Sequence, residues 1–310
     1  WLGRGKGVAI RSYPELDAEY VKKVQQLNAD KVFILDKPVI SGNFIEELAL
    51  QGIPCICIDH HDVEQDFGKN NEEFFMYNSA KNKDKSFEPV TFQVYNITNR
   101  KEDIWIAMMG CIADHFLPDL ADNFSKEYPE YWAQEIKKPF DAYYRTEIGK
   151  IAQSIGFGLK DSITNVIRLQ NLLIKARHPA DILSEEPGSW ATTSSYKKIR
   201  ERYTSLIEEA KKQVTEKMVF FSYGGETSMS SDVSNYLSYT YSGKVIAVAY
   251  LKGEMSNISL RGKNIRDTLY TVLKNFPDSS GGGHQDAVGA RVKSGQLEEF
   301  KEALKKEIEK

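Results

Sequence analysis

The sequence has little cysteine, with three residues in a chain of 310. Cys55 and Cys57 stand two apart in an apolar run, a spacing that places both on one face of a strand, and Cys111 lies in a second apolar segment. No second cysteine pair or suitably spaced histidine accompanies them, which argues against the common structural zinc patterns. We therefore expect three reduced cysteines that pack as small core residues.

An excess of charge of one sign and long apolar runs are also lacking. The formal net charge is -3, which excludes a basic coat over the whole surface but leaves room for a local basic cleft. No apolar run approaches the length that spans a bilayer, and the opening residues lack the apolar core of a signal peptide. We expect a cytoplasmic protein with no membrane partner. The absence of an initiator Met suggests that an N-terminal stretch has been removed or left out.

The first third of the chain alternates strand-like and helix-like patterns. Short apolar runs at 31–36 and 53–59 are separated by a helix-like stretch at 43–50. Continuous apolar runs between helices indicate a parallel sheet covered on both faces. Both runs end in an aspartate, Asp36 or Asp59, and the carboxyl ends of strands form the ligand crevice in such folds. The pattern predicts an α/β fold with a doubly wound parallel sheet that delivers acids to its binding edge.

The rest of the chain divides by composition. Helical patterns dominate from about residue 123, with a break near Pro187-Gly188, and the last hundred residues return to mixed strands and helices around a glycine-rich turn. A chain of 310 residues is long for a single core. We therefore expect an N-terminal domain at 1–122, a helical connector at 123–213 and a smaller C-terminal α/β domain at 214–310.

Polar residues with metal-binding capacity cluster after the second apolar run. Asp59, His60 and His61 are consecutive at the carboxyl end of a strand, where such side chains are costly to bury without a cation or partners. Asp36 closes the preceding strand, and Asp114 ends an apolar helix-like segment. Each acid alone would be an ordinary cap or turn residue. Together they supply oxygen and imidazole ligands of the kind that bind Mn²⁺ or Mg²⁺, so we expect a metal site.

A second cluster is the segment GGGHQDAVG at 281–289. Consecutive glycines let the backbone adopt positive φ and approach a ligand closely, so that amide N–H groups form an anion-binding concavity. His284 follows as a donor, and Arg261, at the end of an upstream strand, offers a planar fork for phosphate oxygens. A flexible loop is the alternative. The residues expected to bind a ligand are Arg261, Gly281, Gly282, Gly283 and His284.

These residues resemble a known family. Asp59-His60-His61 is similar to the signature of the DHH phosphoesterases, and 281–289 is similar to the GGGH-x-x-A-x-G motif of their C-terminal DHH-associated domain. Asp36 resembles the family's second motif and the segment GCIAD at 110–114 its fourth, so the resemblance spans nearly the whole chain. It implies an active site in the cleft between two domains, with two Mn²⁺ or Mg²⁺ ions in the N-terminal half and the substrate held by the C-terminal half.

The resemblance also implies a role for each residue of the N-terminal half. Asp36, His60 and Asp114 would be metal ligands, with Asp36 bridging both ions. His61 and Asp59 would support the site and are the candidate catalytic residues. The five ligand-binding residues of the C-terminal half would hold the phosphate and sugar of a nucleotide.

One family motif is missing from the sequence, an Asp-x-Asp segment at the end of the first strand. Either the sequence lacks an N-terminal stretch, or the chain is a degenerate relative that only binds. We prefer the first interpretation, because a lineage without catalysis would have little reason to retain Asp36, His60, His61, Asp114 and His284 together.

The expected function is Mn²⁺-dependent hydrolysis of single-stranded DNA or RNA, because GCIAD resembles the RecJ-like exonucleases. The two-domain length is instead similar to the nanoRNases, which makes very short oligonucleotides, cyclic dinucleotides or 3′-phosphoadenosine 5′-phosphate the alternative substrates. A non-catalytic scaffold that resembles a replicative-helicase subunit of the same fold is the third hypothesis. The sequence indicates neither protein partners nor an oligomeric state.

Overall fold

The computed structural model describes residues 5–10, 15–64, 72–184, 189–190 and 193–310. The chain forms two compact units, 1–192 and 193–310. Helices are present where the connector was expected, and they divide between the two units. The domain boundaries after 122 and 213 stay a prediction, and the break expected near Pro187-Gly188 lies outside the described residues.

The first unit contains a parallel sheet, as its apolar runs predict. Its strands, in spatial order, are β1 (Val32–Leu35), β2 (Cys55–Asp59) and β3 (Phe74–Asn78). Leu35 pairs with Ile58, and Asp59 pairs with Asn78, so the three strands end at the same edge. Strand β3 is not among the strands expected from the sequence.

Helices lie before, between and after these strands in the chain and continue through the rest of the first unit. In chain order they are α1 (Val21–Gln26), α2 (Gly42–Leu50), α3 (Val90–Thr98), α4 (Ile104–Ala113), α5 (Ala121–Glu127), α6 (Pro139–Arg145), α7 (Glu147–Gly158), α8 (Ile163–Lys175) and α9 (Ala180–Leu183).

Helix α2 covers one face of the sheet. The hydroxyl of Ser41 accepts a hydrogen bond from the backbone N–H of Phe44 at 3.2 Å. Ser41 thus caps the N-terminus of the helix, a position where serine is common. Phe44 then packs in one core cluster with Cys55 and Cys57, whose side chains share a face of β2. All three cysteines, including Cys111, are free and buried, which confirms their expected role as core residues.

The second unit contains a mixed sheet in the order β4-β5-β6-β8-β7. Strands β4 and β5 are parallel, and the remaining neighbours are antiparallel. The strands are β4 (Met218–Gly224), β5 (Val245–Lys252), β6 (Met255–Arg261), β7 (Ser280–His284) and β8 (Ala287–Lys293). The helices are α10 (Ser194–Lys211), α11 (Ser230–Thr240), α12 (Ile265–Leu273) and α13 (Leu297–Ile308).

One face of this sheet packs against α12 and α13 through Leu269, Phe300 and Leu304, which are fully buried. Helix α11 contacts β5 and β6. The expectation of a glycine-rich turn is wrong for Gly281 to His284. These residues lie in the edge strand β7 and pair with β8. Among the helices that the structure describes, none is both long and apolar enough to cross a bilayer.

Candidate functional site

Polar residues gather at the carboxyl edge of the first sheet. Asp36 comes directly after β1, Asp59 is the last residue of β2, and Asn78 is the last residue of β3. The backbone N–H of Asp36 donates to the carbonyl oxygen of Ile58 at 3.0 Å, which extends the strand pairing to this residue. Asp36 has a φ of 58°, in the left-handed region that few residues other than glycine adopt. Backbone conformations of this kind concentrate at functional sites.

Asp36, His60 and His61 form a cluster whose potential ligand atoms all lie within 4.8 Å of one another. The Nε2 atom of His60 is 3.2 Å from Oδ1 of Asp36 and 3.9 Å from Oδ2 of Asp114. The Nδ1 atom of His61 is 3.9 Å from the same Oδ1 of Asp36. Carboxylate oxygens and imidazole nitrogens therefore converge on one point, and this donor set fits a divalent cation.

The position of Asp114 depends on how α4 packs. Asp114 ends this helix, and its backbone N–H donates to the carbonyl oxygen of Gly110 at 3.1 Å. A Cβ atom at Gly110 would lie only 2.4 Å from Oγ1 of Thr91 in α3, so a glycine lets the two helices approach closely. The close packing of α3 and α4 thus sets where the carboxylate of Asp114 lies relative to His60.

Asp59 differs from the other acids because its side chain is only 4% exposed. Its Oδ1 accepts a hydrogen bond from Nδ1 of His61 at 2.8 Å. A carboxylate oxygen accepts this bond, so Nδ1 of His61 carries the hydrogen, and Nε2 offers a lone pair whenever the ring is neutral. A buried carboxylate that holds an imidazole in this way commonly supports a metal-binding histidine.

Gln93 of α3 is a buried residue that the sequence analysis missed. It is 3% exposed, and its amide nitrogen donates to the backbone carbonyl of Asp59 at 3.2 Å and to that of Glu88 at 2.6 Å. On the other side of the edge, the amide of Asn78 donates to the carbonyl oxygen of His61 at 3.0 Å. The backbone of residues 59–61 is thus held by two amide side chains. The sequence offers only a weak signal, a glutamine among the buried apolar residues of a helix.

The electrostatics of the cluster favour protonated histidines when no cation is bound. The hydrogen bond between Asp36 and His60 lowers the pKa of Asp36 and raises the pKa of His60. The hydrogen bond to Asp59 raises the pKa of His61. Burial raises the pKa of Asp114, and the nearby charge of Asp36 acts in the same direction. A cation at this point would compete with protonation of the two histidines.

In the second unit, Arg261 and His284 share a row of the sheet. Arg261 of β6 pairs with Ala287 of β8, which pairs with His284 of β7. Paired residues on neighbouring strands point to the same face, so the two side chains lie on one face about 10 Å apart at their Cα atoms. Nε of Arg261 donates to Oδ1 of Asn235 at 2.7 Å, and Nη1 donates to the carbonyl of Leu260 at 2.8 Å.

The three glycines of β7 have different surroundings. A Cβ atom at Gly281 would lie 3.0 Å from the side chains of Leu269 and Leu273 in the core. Gly283 has a φ of 140°, and a Cβ there would lie 2.7 Å from the carbonyl oxygen of Ala287. At Gly282 the nearest contact would be an ordinary 3.7 Å. Folding alone therefore accounts for Gly281 and Gly283 but not for Gly282.

The structure places the residues expected from the sequence in two groups. The first unit holds Asp36, Asp59, His60, His61 and Asp114, and the second unit holds Arg261, Gly281, Gly282, Gly283 and His284. Within the first group, His60 contacts Asp36 and approaches Asp114, and His61 contacts Asp59. The cleft between domains that the resemblance implies stays a prediction.

Comparison with known proteins adds to this geometry. Residues 211–310 match the DHHA1 domain. Comparison with curated proteins finds no match. Among solved structures, the chain is similar to RecJ from Thermus thermophilus in complex with Mn²⁺, with a TM-score of 0.58 at 15% identity over 96% of this chain and 47% of RecJ. The chain thus spans about half the length of that protein.

Two further structures have the same fold. A structure of exonuclease RecJ bound to manganese matches with a TM-score of 0.54 at 15% identity over 96% of this chain and 79% of its own. The DHH domain of a member of a ribosomal protein family matches with a TM-score of 0.54 at 14% identity over 94% of this chain and 72% of its own. At these identities the likeness shows the fold, a mixed α/β fold of the RecJ and DHH type.

Proposed function

We propose that this RecJ-like chain, which has the fold of the DHH proteins and a DHHA1 domain, is a divalent-metal-dependent phosphoesterase that shortens single-stranded DNA or RNA. The observation that carries the proposal is the convergence of Asp36, His60 and His61 within 4.8 Å at the carboxyl edge of the first sheet. The fold shared with an exonuclease whose structure holds manganese supports it.

The residues present fit a divalent cation such as Mn²⁺ or Mg²⁺. We assign Asp36, His60 and Asp114 as its ligands, since Nε2 of His60 lies 3.2 Å from one acid and 3.9 Å from the other. When bound, a cation of this kind stabilises charge on a phosphoryl group and lowers the pKa of water. The second ion that the resemblance implies stays a prediction.

The side chains around these ligands have positioning and proton-holding roles in the proposal. Asp59 holds His61 through Nδ1, which leaves Nε2 of His61 to bind a cation or to exchange a proton with the substrate. Gln93 and Asn78 hold the backbone that carries both histidines. In the second unit, Arg261 and His284 would bind the phosphate and sugar of the substrate.

A digestion of end-labelled DNA and RNA strands of graded length tests the substrate class. Strands from dinucleotides to thirty-mers are incubated with the protein and Mn²⁺, with EDTA as the control. Progressive shortening of the long strands is the expected result, and comparison of DNA with RNA identifies the preferred sugar.

Two other results would assign a different function. Hydrolysis confined to dinucleotides through pentanucleotides, or to small nucleotides, would contradict the exonuclease and favour the short-oligonucleotide enzyme. Absence of hydrolysis with any divalent cation, together with absence of Mn²⁺ binding in calorimetry, would contradict the phosphoesterase and favour the scaffold.

A further inference from the structure

The segment between β3 and α3 forms a closed loop beside the histidine cluster. It runs over residues 79–88, and its two ends are joined because the hydroxyl of Ser79 donates to the carbonyl oxygen of Glu88 at 2.9 Å. Gln93, which also supports Asp59, donates to the same carbonyl oxygen at 2.6 Å. We call residues 79–88 the cluster loop. Compact loops whose ends meet are frequently functional.

A turn inside the cluster loop is fixed by backbone hydrogen bonds. The N–H of Asn82 donates to the carbonyl oxygen of Ser79 at 3.2 Å, and the N–H of Lys85 donates to that of Asn82 at 3.0 Å. The side-chain amide of Asn82 also donates to the hydroxyl of Tyr77 in β3 at 3.2 Å. The loop therefore has a defined conformation next to the strand edge that carries the cluster.

Phe87 is the residue through which the cluster loop contacts the proposed cation ligands. The pKa of His60 is raised chiefly by its hydrogen bond with Asp36, and a hydrogen bond with the backbone of Phe87 acts in the same direction. Nε2 of this ring lies 3.2 Å from Oδ1 of Asp36. A single imidazole ring thus connects the backbone of Phe87 with the point where the ligand atoms converge.

The backbone conformation of Phe87 does not suit its side chain. Its φ is 51°, in the left-handed region where a bulky residue is an outlier and glycine is the usual choice. The residue is 43% exposed, so burial gives the fold little in return. A single exposed phenylalanine is ordinary on a protein surface, but one held in a strained conformation is not. Strained conformations of this kind cluster at active sites and ligand clamps.

The cluster loop also carries cationic side chains. It contains three lysines, one aspartate and one glutamate. Lys83 and Lys85 are exposed, whereas Lys81 pairs with Asp62 at 2.9 Å. Proteins that bind single strands combine cationic side chains along the backbone with aromatic rings on which bases stack. The loop presents both kinds of side chain beside the cluster.

We propose that Phe87 stacks on the base of the nucleotide whose phosphate lies at the histidine cluster. The inference rests on the proposed function and deepens it, because it names a recognition element that a phosphate or a phosphosugar lacks. The base is attached to the sugar next to the reacting phosphate, so a phenyl ring held beside a cation ligand is placed to meet it. Stacking tolerates every base, since each has a π face. The loop therefore selects nucleotides without reading their sequence.

The test compares the wild type with Phe87→Ala on single-stranded octanucleotides that are intact or carry an abasic residue at each end in turn. Steady-state hydrolysis is measured at saturating Mn²⁺. Phe87→Ala is expected to raise KM for the intact strand on the order of tenfold, with little change in kcat. An abasic residue at the reacting end should raise KM similarly for the wild type and have no further effect on Phe87→Ala. Equal KM values of the wild type for intact and abasic strands would overturn the inference.

Two further variants serve as controls. Phe75→Ala removes the same side chain from a position in β3 that is 57% exposed, and it is expected to leave KM unchanged. Phe87→Trp keeps an aromatic ring at the proposed contact and is expected to have a KM close to that of the wild type. If Phe75→Ala raised KM as much as Phe87→Ala, or if Phe87→Trp raised it equally, the stacking contact would be contradicted.

Cation binding separates stacking from a positioning role through His60. The backbone contact with His60 does not require the phenyl ring, so calorimetric Mn²⁺ affinity is expected to be the same for Phe87→Ala and the wild type. Phe87→Gly suits the positive φ, and it is expected to show the same raised KM with an unfolding temperature no lower than that of Phe87→Ala. A tenfold loss of Mn²⁺ affinity in Phe87→Ala would contradict the proposal, because the side chain would then act through His60.

The two proposals fail separately in these experiments. Fluorescence anisotropy without divalent cations measures binding of the same octanucleotides. If the wild type hydrolyses nothing with Mn²⁺ but binds the intact strand more tightly than the abasic strand, and Phe87→Ala abolishes this difference, the stacking contact stands and the phosphoesterase does not. If the wild type and Phe87→Ala hydrolyse intact and abasic strands with one KM, the phosphoesterase stands and the stacking contact does not.

Discussion

Asp36 adopts a backbone conformation that is uncommon for residues other than glycine. It also lies between His60 and His61 in the cluster. Its φ of 58° is one that aspartate and asparagine tolerate better than most residues. Its Oδ1 lies within 4 Å of both His60 and His61. Replacement by asparagine therefore keeps the shape and tolerates the conformation, while it removes the charge and turns one acceptor oxygen into an amide donor, which makes Asp36→Asn a suitable probe of this site.

Replacement of Gln93 tests how much its buried hydrogen bonds contribute to stability and to cation binding. We expect Gln93→Leu to lower the free energy of unfolding by about 1–3 kcal/mol, because the carbonyl oxygens of Asp59 and Glu88 lose a buried donor. Mn²⁺ affinity is expected to fall by about 10–100-fold, the usual effect of losing support behind metal ligands. Urea denaturation and calorimetric Mn²⁺ titration measure the two effects.

The matched control is Gln26→Leu, which changes the same residue type at an exposed position of α1. It is expected to change the free energy of unfolding and the free energy of Mn²⁺ binding by no more than about 0.5 kcal/mol each. If Gln93→Leu bound Mn²⁺ as tightly as this control, Gln93 would have no positioning role.

The two histidines predict a pH dependence of cation binding. Hydrogen bonds to Asp36 and Asp59 raise the pKa of His60 and of His61 above the ordinary 6.5. A raised pKa in the folded state stabilises the cation-free fold fully below the unfolded pKa, and this stabilisation is lost as pH rises through the folded pKa. Cation binding needs neutral imidazoles, so Mn²⁺ affinity should decrease as pH falls through the raised pKa values, by about tenfold per pH unit for each proton displaced.

Calorimetric titrations with Mn²⁺ across this pH range, repeated in buffers of different ionisation enthalpy, count the protons released. His284→Gln, in the second unit, should leave the profile unchanged. An affinity that did not vary with pH would contradict the assignment of these histidines to the cation site.

Some of these residues can be predicted from the sequence and others cannot, and the reason is physical. Asp36, Asp59 and the two histidines stand directly after apolar runs, and parallel strands bring such ends together. Gln93 is distant in sequence from residue 59, and only the packing of α3 against the sheet edge places its amide beside that carbonyl. Contacts of this kind leave no periodic signal.

At the scale of elements, the packing of α3 against α4 carries a separate prediction. An added Cβ at Gly110 would lie 2.4 Å from Oγ1 and 2.5 Å from Cγ2 of Thr91. We expect Gly110→Ala to destabilise the fold by about 1–3 kcal/mol, since the helices must separate or Thr91 must move. Urea denaturation measures this, and Thr91→Ala in the same chain should recover part of the loss.

Gly156→Ala in α7 is the control, because a Cβ there meets nothing within 4 Å. A glycine to alanine change inside a helix should then be neutral or stabilising by up to about 1 kcal/mol. Similar stabilities for Gly110→Ala and Gly156→Ala would show that the close approach of α3 and α4 is unimportant.

Element boundaries followed from the sequence where the pattern was strong. The apolar stretch that ends at Asp114 predicted α4, and the structure ends this helix at Ala113 with Asp114 as the next residue. Strand β7 was expected as a turn, because glycine disfavours strands and consecutive glycines usually mark turns. Its pairing with β8, a tertiary interaction, overrides that local preference. Strand β3 has exposed residues along its middle, so it lacks the buried apolar run that marks β2.

At the scale of the whole molecule, the two units should contribute to different kinetic constants. The first unit carries the proposed cation site, so Asp114→Asn should mainly lower kcat. The second unit contains the residues that match the DHHA1 domain and the proposed substrate contacts, so His284→Ala should mainly raise KM. Steady-state hydrolysis of a labelled octanucleotide separates the constants. A His284→Ala variant with normal KM would contradict the division of labour.

The two-unit organisation and the α/β class were accessible from chain length and from the change in pattern along the sequence. The two motifs that suggested the family lie in different units, and each could be recognised locally. The arrangement of the units relative to each other depends on contacts that no local pattern encodes, which is why the cleft remains a prediction.

The most direct test of the account is the Mn²⁺ dependence of hydrolysis for the wild type, Asp36→Asn and Asp62→Asn. Asp62 is an exposed acid that pairs with Lys81 at 2.9 Å and stands outside the cluster, so it is a matched control. The account predicts that the wild type and Asp62→Asn hydrolyse a labelled single strand at similar rates at saturating Mn²⁺, whereas Asp36→Asn loses at least about a hundredfold. Hydrolysis by Asp36→Asn at the rate of Asp62→Asn would contradict it.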